Sequence, residues 1–490
     1  MRGFEFETNG LLSPAGVIRF HRGFARSSFG GGEGEETVRV SNGARRERAS
    51  VLIVVLWIAI GLVSIALYFA HAMTFELRAS DNRASGLASE QAIEGAARYV
   101  GAVLSNLATN GAVPDNTEFS CEAVPLGDSR FWIIGRDPAG TSASEPYFGL
   151  IDEGSKLNMN RAGTNTLSYL PNMTLDVAQA ITDWRDTNGT LTLDYAQLGY
   201  QPKHADFETV DELRLVEGMT IDLLVGDDHN RNGVLDGSEK SSGNLSDATS
   251  GLFEYLTVYS REPNFHVDGS ALTNINTQAG LQALLQNAVG TTRAGQIMFA
   301  LGYNGGQGGG APPPTFTSLL GFYVELNRRG LMNSTDFANI YNDATTAGTN
   351  TLFINGRVNV NTASEAVLTA LFMGIGIDQN TAQGAAESLV TYREQNPDNL
   401  TSISWIVDAL GNTSQVVPAL ASRDLVTTRS FQFTADIAAV GPFGRGYRRV
   451  KFVFDITEGT PKIIYRQDLG RLGWALGEKA RETWVAKETK

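Results

Sequence analysis

The sequence has little of what disulfide bonding, catalysis or nucleic-acid binding would need. Its 490 residues include one cysteine, Cys121, so no internal disulfide can form, and we expect its thiol to belong to a core. The five histidines show no metal-ligand spacing, and no H-E-x-x-H, G-x-S-x-G or phosphate-loop motif is present. A formal net charge of -14 argues against a nucleic-acid partner, because phosphate backbones bind basic patches. These absences favour a non-enzymatic protein.

One long apolar run lies near the N-terminus. No Asp, Glu, Lys or Arg interrupts it from Val51 to Ala72, and as an α-helix it would span about 33 Å, enough to cross a bilayer core. A secretory signal has a shorter apolar region and a small-residue cleavage site, which this run does not match. Arg45, Arg46 and Arg48 precede it and predict that this side stays in the cytoplasm. We therefore expect a single-pass membrane protein with most of the chain across the membrane.

The helical pattern continues beyond the apolar run, and β-like segments follow it. Residues 73–107 are rich in Ala, Glu, Arg and Leu and lack proline, which predicts one continuous helix from Ser50 to about Leu107, apolar first and amphipathic second. Strand patterns occur in "SRFWIIGRDP" and "EPYFGLIDE", and again in "RSFQFTADIAAV", "YRRVKFVFDIT" and "PKIIYRQDL". We expect an α+β fold in which strands from both ends of a long insertion form one antiparallel sheet on the amphipathic helix.

The segment between the strand patterns contains an internal repeat. "KLNMNRA" (156–162) matches "RVNVNTA" (357–363), and "AQAITDWRD" (178–186) matches "AESLVTYRE" (386–394). A third, partial copy begins at "LTNINTQ" (272–278). Asn and Thr before each apolar run are natural helix N-caps. The repeat predicts a large inserted helical domain with two repeated helix–hairpin–helix-like units.

A calcium-loop pattern lies inside this segment. Residues 228–239 fit the twelve-residue calcium loop position by position, with Gly233 at the sharp turn. The predicted ligands are Asp228, Asn230, Asn232, Val234 through its carbonyl, Asp236 and Glu239. His229 and Arg231 occupy the other positions and are expected to point outward. The alternative is a polar Asn-Gly turn, but the complete pattern favours calcium. Because the flanking helices match only in part, we expect a structural site and not a sensor.

A second pattern, "GIGID" (374–378), is typical of a hairpin that presents backbone N–H groups to a phosphate. Ile377, Asp378 and Gln379 stand where a phosphate binder would have Lys or Arg, so packing is the favoured interpretation. Asp183 and Asp186 form an acidic pair one helical turn apart. A solvated helix face explains this pair more simply than general acid–base catalysis.

Five segments spread from Arg48 to Trp474 carry a resemblance to one family. They are "RASVLIVVLW", "GLIDEGSKLNMN", "ITDWRD", "VNVNTAS" and "IIYRQDLGRLGW". In them the chain resembles the minor pseudopilin K of bacterial type II secretion (general secretion pathway protein K). The resemblance implies a pilin-like fold with an inserted helical domain, calcium (Ca2+) binding, and a place at the tip of a periplasmic pseudopilus. It implies the minor pseudopilins I and J as partners, with pseudopilin H and the major pseudopilin as further candidates.

The resemblance also implies how the N-terminus is processed. A prepilin peptidase would cut between Ala49 and Ser50 and leave the apolar run in the inner membrane as an assembly helix; the family usually has Gly where this chain has Ala49. Val54 takes the fifth mature position, where most pilin-like subunits carry a Glu that meets the N-terminal amine of the subunit above. An unpaired carboxylate in an apolar bundle is costly. Val54 therefore suits a subunit with nothing above it.

The sequence thus predicts a non-enzymatic tip subunit that binds no nucleic acid. The alternatives are a membrane-anchored helix–hairpin–helix DNA-binding protein of the competence type, a minor pilin of a type IV system, and an anchored enzyme without an identified substrate. The predicted regions are a cytoplasmic leader at 1–49, a transmembrane helix at 50–72, its amphipathic continuation at 73–115, a first β segment at 116–155, an inserted helical domain at 156–421 with its calcium loop at 228–239, and a second β segment at 422–490.

Overall fold

The computed structural model describes residues 43–137, 145–188, 195, 199–236, 239, 250–303 and 313–480, with side chains from residue 51 onward. Residues 1–42 of the predicted leader lie outside the described residues, and so do the side chains of Ala49 and Ser50. The chain divides into two compact units, Met1–Phe75 and Glu76–Lys490.

The first unit contains the apolar part of helix α1 (Gly43–Leu107), which begins before the predicted Ser50. Every residue from Val51 to Phe75 is exposed to solvent. Among the described residues, α1 is the one helix whose length and apolar composition suffice to cross a membrane. Such a surface needs a bilayer or partner helices to cover it. It is therefore a candidate membrane anchor, compatible with a single-pass protein.

The second unit contains the rest of α1, the strands and the remaining helices. The strands are β1 (Val124–Leu126), β2 (Ser129–Ile134), β3 (Ile151–Asp152), β4 (Leu157–Asn158), β5 (Leu256–Thr257), β6 (Arg261–Pro263), β7 (Thr273–Asn274), β8 (Ala344–Thr345), β9 (Phe353–Asn355), β10 (Val358–Asn359), β11 (Val426–Thr427), β12 (Gln432–Val440), β13 (Arg448–Asp455) and β14 (Lys462–Asp468). The helices are α2 (Thr164–Ser168), α3 (Leu175–Arg185), α4 (Ile221–Val225), α5 (Gln278–Val289), α6 (Thr291–Ala300), α7 (Leu319–Arg328), α8 (Ser334–Tyr341), α9 (Glu365–Gly374), α10 (Gln379–Gln395), α11 (Trp405–Leu410) and α12 (Val416–Ala421).

The main sheet is antiparallel and takes its strands from both ends of the insertion. Its order is β1-β2-β12-β13-β14, and β3 also pairs with β12. Alternate residues point to opposite faces of a strand, and one face of this sheet is apolar. That face packs on α1, with a shared core that includes Ile93, Val100, Phe131, Phe433 and Phe452. The predicted α+β, pilin-like fold with an inserted helical domain is confirmed.

The inserted domain repeats one local structure three times within the described residues. Each copy opens with a short strand that pairs in parallel with a later one, β4 with β5, β7 with β8 and β10 with β11. The Asn that ends each opening strand, Asn158, Asn274 or Asn359, accepts a hydrogen bond from the N–H two residues on, at 3.0, 2.8 and 3.0 Å. This side-chain turn ends the strand and directs the chain into a helix pair. The copy that is partial in sequence makes the same turn.

The next Asn of each copy ties the turn to a distant segment. Asn160 donates to the Phe207 carbonyl at 2.9 Å and accepts from the Phe207 N–H at 2.8 Å. Asn276 makes the same pair of bonds with Phe316, at 2.9 and 2.8 Å. An Asn side-chain amide has both a donor and an acceptor. It can therefore make, with one backbone residue, the two hydrogen bonds that a neighbouring strand would otherwise make. The short "N-x-N" sequence is therefore a structural element of the repeat.

Candidate functional site

The predicted calcium loop begins with a carboxylate that is folded onto the loop backbone. Asp228 accepts hydrogen bonds from the N–H groups of Asn232, at 3.1 Å, and Gly233, at 2.7 Å. Arg231 and Gly233 have φ of 59° and 88°, the left-handed conformation that a sharp turn requires. A Cβ on Gly233 would lie 3.0 Å from Cδ of Arg136. The position therefore has both the conformation and the close contact that favour glycine.

The far end of the loop closes onto its beginning. The Glu239 carboxylate accepts from the N–H of Asn230 at 2.9 Å and from the N–H of Asp236 at 3.2 Å. Oδ2 of Asp236 accepts from the amide groups of Asn230 and Asn232, at 2.6 and 3.4 Å. The oxygens of these amides each accept one loop N–H, from Asn232 and Val234, and an amide oxygen keeps a second lone pair. The side chains of the other five predicted ligands are thus connected in one ring of hydrogen bonds, and Val234 joins it through its N–H.

The oxygen donors of this ring suit a hard cation. Calcium takes six to eight oxygen ligands, and the ring offers carboxylates, two amides and a backbone carbonyl. Within the described part of the chain, no three His, Cys, Asp or Glu side chains are grouped so that they could hold a metal ion. A bound ion would therefore also need the amide and carbonyl oxygens, and the carboxylates would have to turn from the loop N–H groups toward it. The six ligands remain predictions.

Burial and a neighbouring arginine act on the first carboxylate of the ring in opposite directions. Burial raises the pKa of Asp228 above its ordinary value, although the positive charge of Arg136 opposes the shift. Arg136 is itself engaged with Glu254, since its Nε and Nη2 lie 2.5 and 2.6 Å from the two carboxylate oxygens. Burial alone would raise the pKa of Glu254, but Arg136 outweighs it and lowers the value to about 2. The positive charge of Arg136 is therefore shared between Asp228 and Glu254.

Two arginines attach this ring to the main sheet. Arg449 on β13, 0 % exposed, donates to the backbone carbonyls of Asn230 and Arg231, the latter at 2.8 Å. The same guanidinium binds both carboxylate oxygens of Asp436 on β12, at 2.9 and 2.6 Å. Arg136, just after β2, donates to the Arg231 carbonyl at 3.2 Å. Sequence reasoning missed these residues; the one available signal was the group of basic residues at 448, 449 and 451 in "YRRVKFVFD", which bears on Arg449 and not on Arg136.

The two non-ligand positions of the loop differ from each other. His229 is exposed, as expected. Arg231 was expected to point outward, but its guanidinium lies over the ring of Phe253, 4.2 Å from the centroid. Burial lowers the pKa of Arg231, although neighbouring carboxylates oppose the shift. The loop is therefore fixed on its outer side by a cation–π contact.

The other sequence patterns have structural roles. Oδ1 of Asp378 caps α10 by accepting from the N–H of Thr381 at 3.1 Å, so a carboxylate lies where a phosphate would bind a helix N-terminus. Asp183 was expected on a solvated helix face, but it is buried and accepts from Nε2 of Gln179 at 2.9 Å. Cys121 is half-buried and donates to the Phe148 carbonyl at 3.2 Å.

The processing and assembly positions lie in the first unit. Ala49 and Ser50 are helical. Val54 belongs to the same helix and is 55 % exposed. The structure thus presents Val54 on an uncovered helix surface.

The elements described above define a class: an α+β protein of pilin-like architecture with an inserted helical domain. No family model matches the chain, and no curated protein matches it. Among solved structures, the chain is similar to one in the crystal structure of the GspK-GspI-GspJ complex from the enterotoxigenic Escherichia coli type 2 secretion system. The identity is 10%, the TM-score is 0.38, and the match covers 80% of this chain and 99% of that chain.

Proposed function

We propose that this chain is a non-enzymatic minor pseudopilin of a type II secretion system, located at the tip of the periplasmic pseudopilus. The observation that carries the proposal is α1, which is apolar and exposed from Val51 to Phe75 and packs on the sheet in the second unit. A helix of this kind can anchor the subunit in the inner membrane and later pack against neighbouring helices. The partners would be the minor pseudopilins I and J, with pseudopilin H and the major pseudopilin as further candidates.

The tip position is supported by two features of the chain. Val54 has no carboxylate to offer to the amine of a subunit above it, and an unpaired carboxylate there would be costly. The inserted domain is large, and its bulk argues against repetition along a filament. Both features favour a subunit that helps to initiate or cap the pseudopilus.

The N-terminal mass of the membrane-extracted protein tests the assembly-helix proposal. We expect a chain beginning at Ser50 when a prepilin peptidase is co-expressed, and an intact chain beginning at Met1 without it. Ala49→Gly restores the residue usual before the cut and should still be processed, whereas Ala49→Glu places a charge there and should block processing. An intact chain in every case would make α1 a plain signal anchor and reject the proposal.

We also propose that residues 228–239 bind one calcium ion through Asp228, Asn230, Asn232, the Val234 carbonyl, Asp236 and Glu239. The closed ring of oxygen donors supports this site. A ligand that binds only the folded state raises the free energy of unfolding by about 2.7 kcal/mol at a hundred times its Kd. We expect calcium to produce a stabilisation of that size in the wild type, measured by thermal unfolding in calcium and in EGTA.

Matched variants make this test specific. Glu239→Gln and Asp228→Asn should abolish the calcium-dependent stabilisation because each removes a predicted ligand charge. Asp176→Asn removes an exposed charge from the first turn of α3 and should leave the stabilisation unchanged. Identical unfolding of the wild type in calcium and EGTA would reject the site.

A further inference from the structure

The inserted domain and the main sheet have separate hydrophobic cores. The core between α1 and the sheet and the core of the inserted domain share no residue among those that the structure describes. Where the sheet meets the inserted domain, its face carries Thr434, Asp436, Arg449 and Asp455, all buried, and the half-buried Lys451. The hydrogen bonds and ion pairs that cross this interface depend on geometry for their strength. They are accompanied by an aromatic contact between Tyr259 of the inserted domain and Tyr465 of β14, with ring centroids 6.0 Å apart.

The chain enters and leaves the inserted domain at one end of this interface. It leaves the sheet at β3, where Asp152 pairs with Phe433, and it returns into β12 at Gln432. Gln432 also accepts a hydrogen bond from the N–H of Arg261 at 2.9 Å. Both covalent connections and this contact lie at the beginning of β12.

The calcium loop lies at the other end of the interface. Arg449, which binds the loop carbonyls, pairs with Ala438 in the sheet. From Gln432 to Ala438 a strand spans roughly 20 Å. At this end Arg449 and Arg136 bind the loop backbone, and the Asn230 amide donates to the Trp474 carbonyl at 3.3 Å. Asp211 of the inserted domain also accepts hydrogen bonds from Tyr465, at 3.2 Å, and Gln467, at 3.0 Å, on β14. A swing about the beginning of β12 would have to break these bonds as well as the loop contacts.

In the ring conformation the loop presents the carbonyls of Asn230 and Arg231 to Arg449. That conformation includes a positive φ at Arg231, which is strained for a residue with a side chain. It also connects the carboxylates of Asp228, Asp236 and Glu239 through loop N–H groups and the amides of Asn230 and Asn232. A divalent cation bound by these oxygens would hold the loop in place. The ion and the sheet contact therefore stabilise the same loop conformation.

We propose that the calcium loop is a latch: calcium bound at residues 228–239 locks the inserted domain onto the main sheet, and loss of the ion lets the domain swing about the beginning of β12. The proposal rests on the calcium site of the proposed function. Neither core needs to unfold in this motion, because no core residue is shared. Calcium would thereby set the orientation in which the domain is presented to partner subunits.

Distances between spin labels test the latch in the full-length protein in detergent. In a Cys121→Ala background, one pair of cysteines replaces Asp128, in the β1–β2 turn, and Asp222, in α4; both positions are exposed. We expect one narrow distance distribution in calcium and a broad or displaced one in EGTA. A control pair at Asp222 and Gln383 lies within the inserted domain and should give the same distribution in both conditions.

If calcium strengthens the contact between the loop and Arg449, that contact must strengthen calcium binding by the same factor, since linkage between two binding events is reciprocal. Arg449→Lys keeps the charge beside Asp436 but loses the planar fork that reaches two carbonyls, and it should weaken calcium affinity on the order of tenfold by calorimetry. The matched control is Arg466→Lys on β14, whose arginine pairs with Glu94 of α1 at 2.8 Å; its affinity should not change.

The outcomes separate the two proposals. Calcium binding with equal label distances in calcium and EGTA would overturn the latch and leave the site intact. No calcium binding would overturn both the site and the latch. If Arg449→Lys does not fold, the labelled protein with its native Arg449 still decides the question.

Discussion

Replacing Trp405 with alanine is expected to lower the free energy of unfolding of the inserted domain by about 3–5 kcal/mol. Trp405 is 1 % exposed and stacks on Tyr392, with ring centroids 5.6 Å apart and planes 5° from parallel. Its Nε1 donates to Oδ1 of Asn361 at 3.0 Å, and Asn361 donates to the Leu400 carbonyl at 3.0 Å. The substitution would leave a cavity and remove the bond that positions Asn361 in the copy at 357–363.

Urea unfolding followed by circular dichroism measures this effect, and two variants calibrate it. Trp405→Phe keeps an aromatic ring but loses the N–H donor, so its loss should be smaller than that of Trp405→Ala. Phe443→Ala removes a side chain that is 77 % exposed and should change stability by no more than about 0.5 kcal/mol. Equal stability of Trp405→Ala and Phe443→Ala would show that the copy beginning at 357–363 is not built around this stack.

The elements of the fold were predictable where their signals are local. Strand alternation in "RSFQFTADIAAV" and "YRRVKFVFDIT" predicted β12 and β13, and β12 turned out to be buried on both faces because it is central in the sheet. The Asn pairs predicted the repeat because each Asn makes its turn with residues next to it in the chain. The helix start was wrong, since α1 begins at Gly43 and not at Ser50; arginines are good helix formers and extend it.

The surroundings of the candidate site were not predictable, because they depend on distant residues. Arg449 is 219 residues from Asn230 in the chain, and no sequence pattern connects the two. The spacing of residues within the loop was enough to predict the calcium ligands. The contacts that attach the loop to the sheet depend on the tertiary structure. The expectation for Arg231 failed for the same reason: its partner, Phe253, lies outside the loop motif.

Replacing Glu262 with leucine is the second change for which we expect a large effect, a loss of about 3–5 kcal/mol. Glu262 on β6 accepts from Arg357, at 3.3 Å, and from Arg429, at 3.0 Å. All three are buried, and Arg357 also pairs with Asp424. Burial alone would lower the pKa of Arg357, but these carboxylates raise it above its ordinary value. Without Glu262, two guanidinium groups would stay buried with one carboxylate beside them.

Glu325→Leu is a matched control, because Glu325 also binds two arginines, Arg328 and Arg329, but at the surface. Exposed pairs contribute about 0–1 kcal/mol each, so urea unfolding should show a much smaller loss for Glu325→Leu than for Glu262→Leu. The triple variant Glu262→Met, Arg357→Met and Arg429→Met should recover part of the loss, since buried charges cost most when one partner is removed. Equal losses for the two leucine variants would mean that water reaches the cluster, and that the junction of β6, β10 and β12 is open in solution.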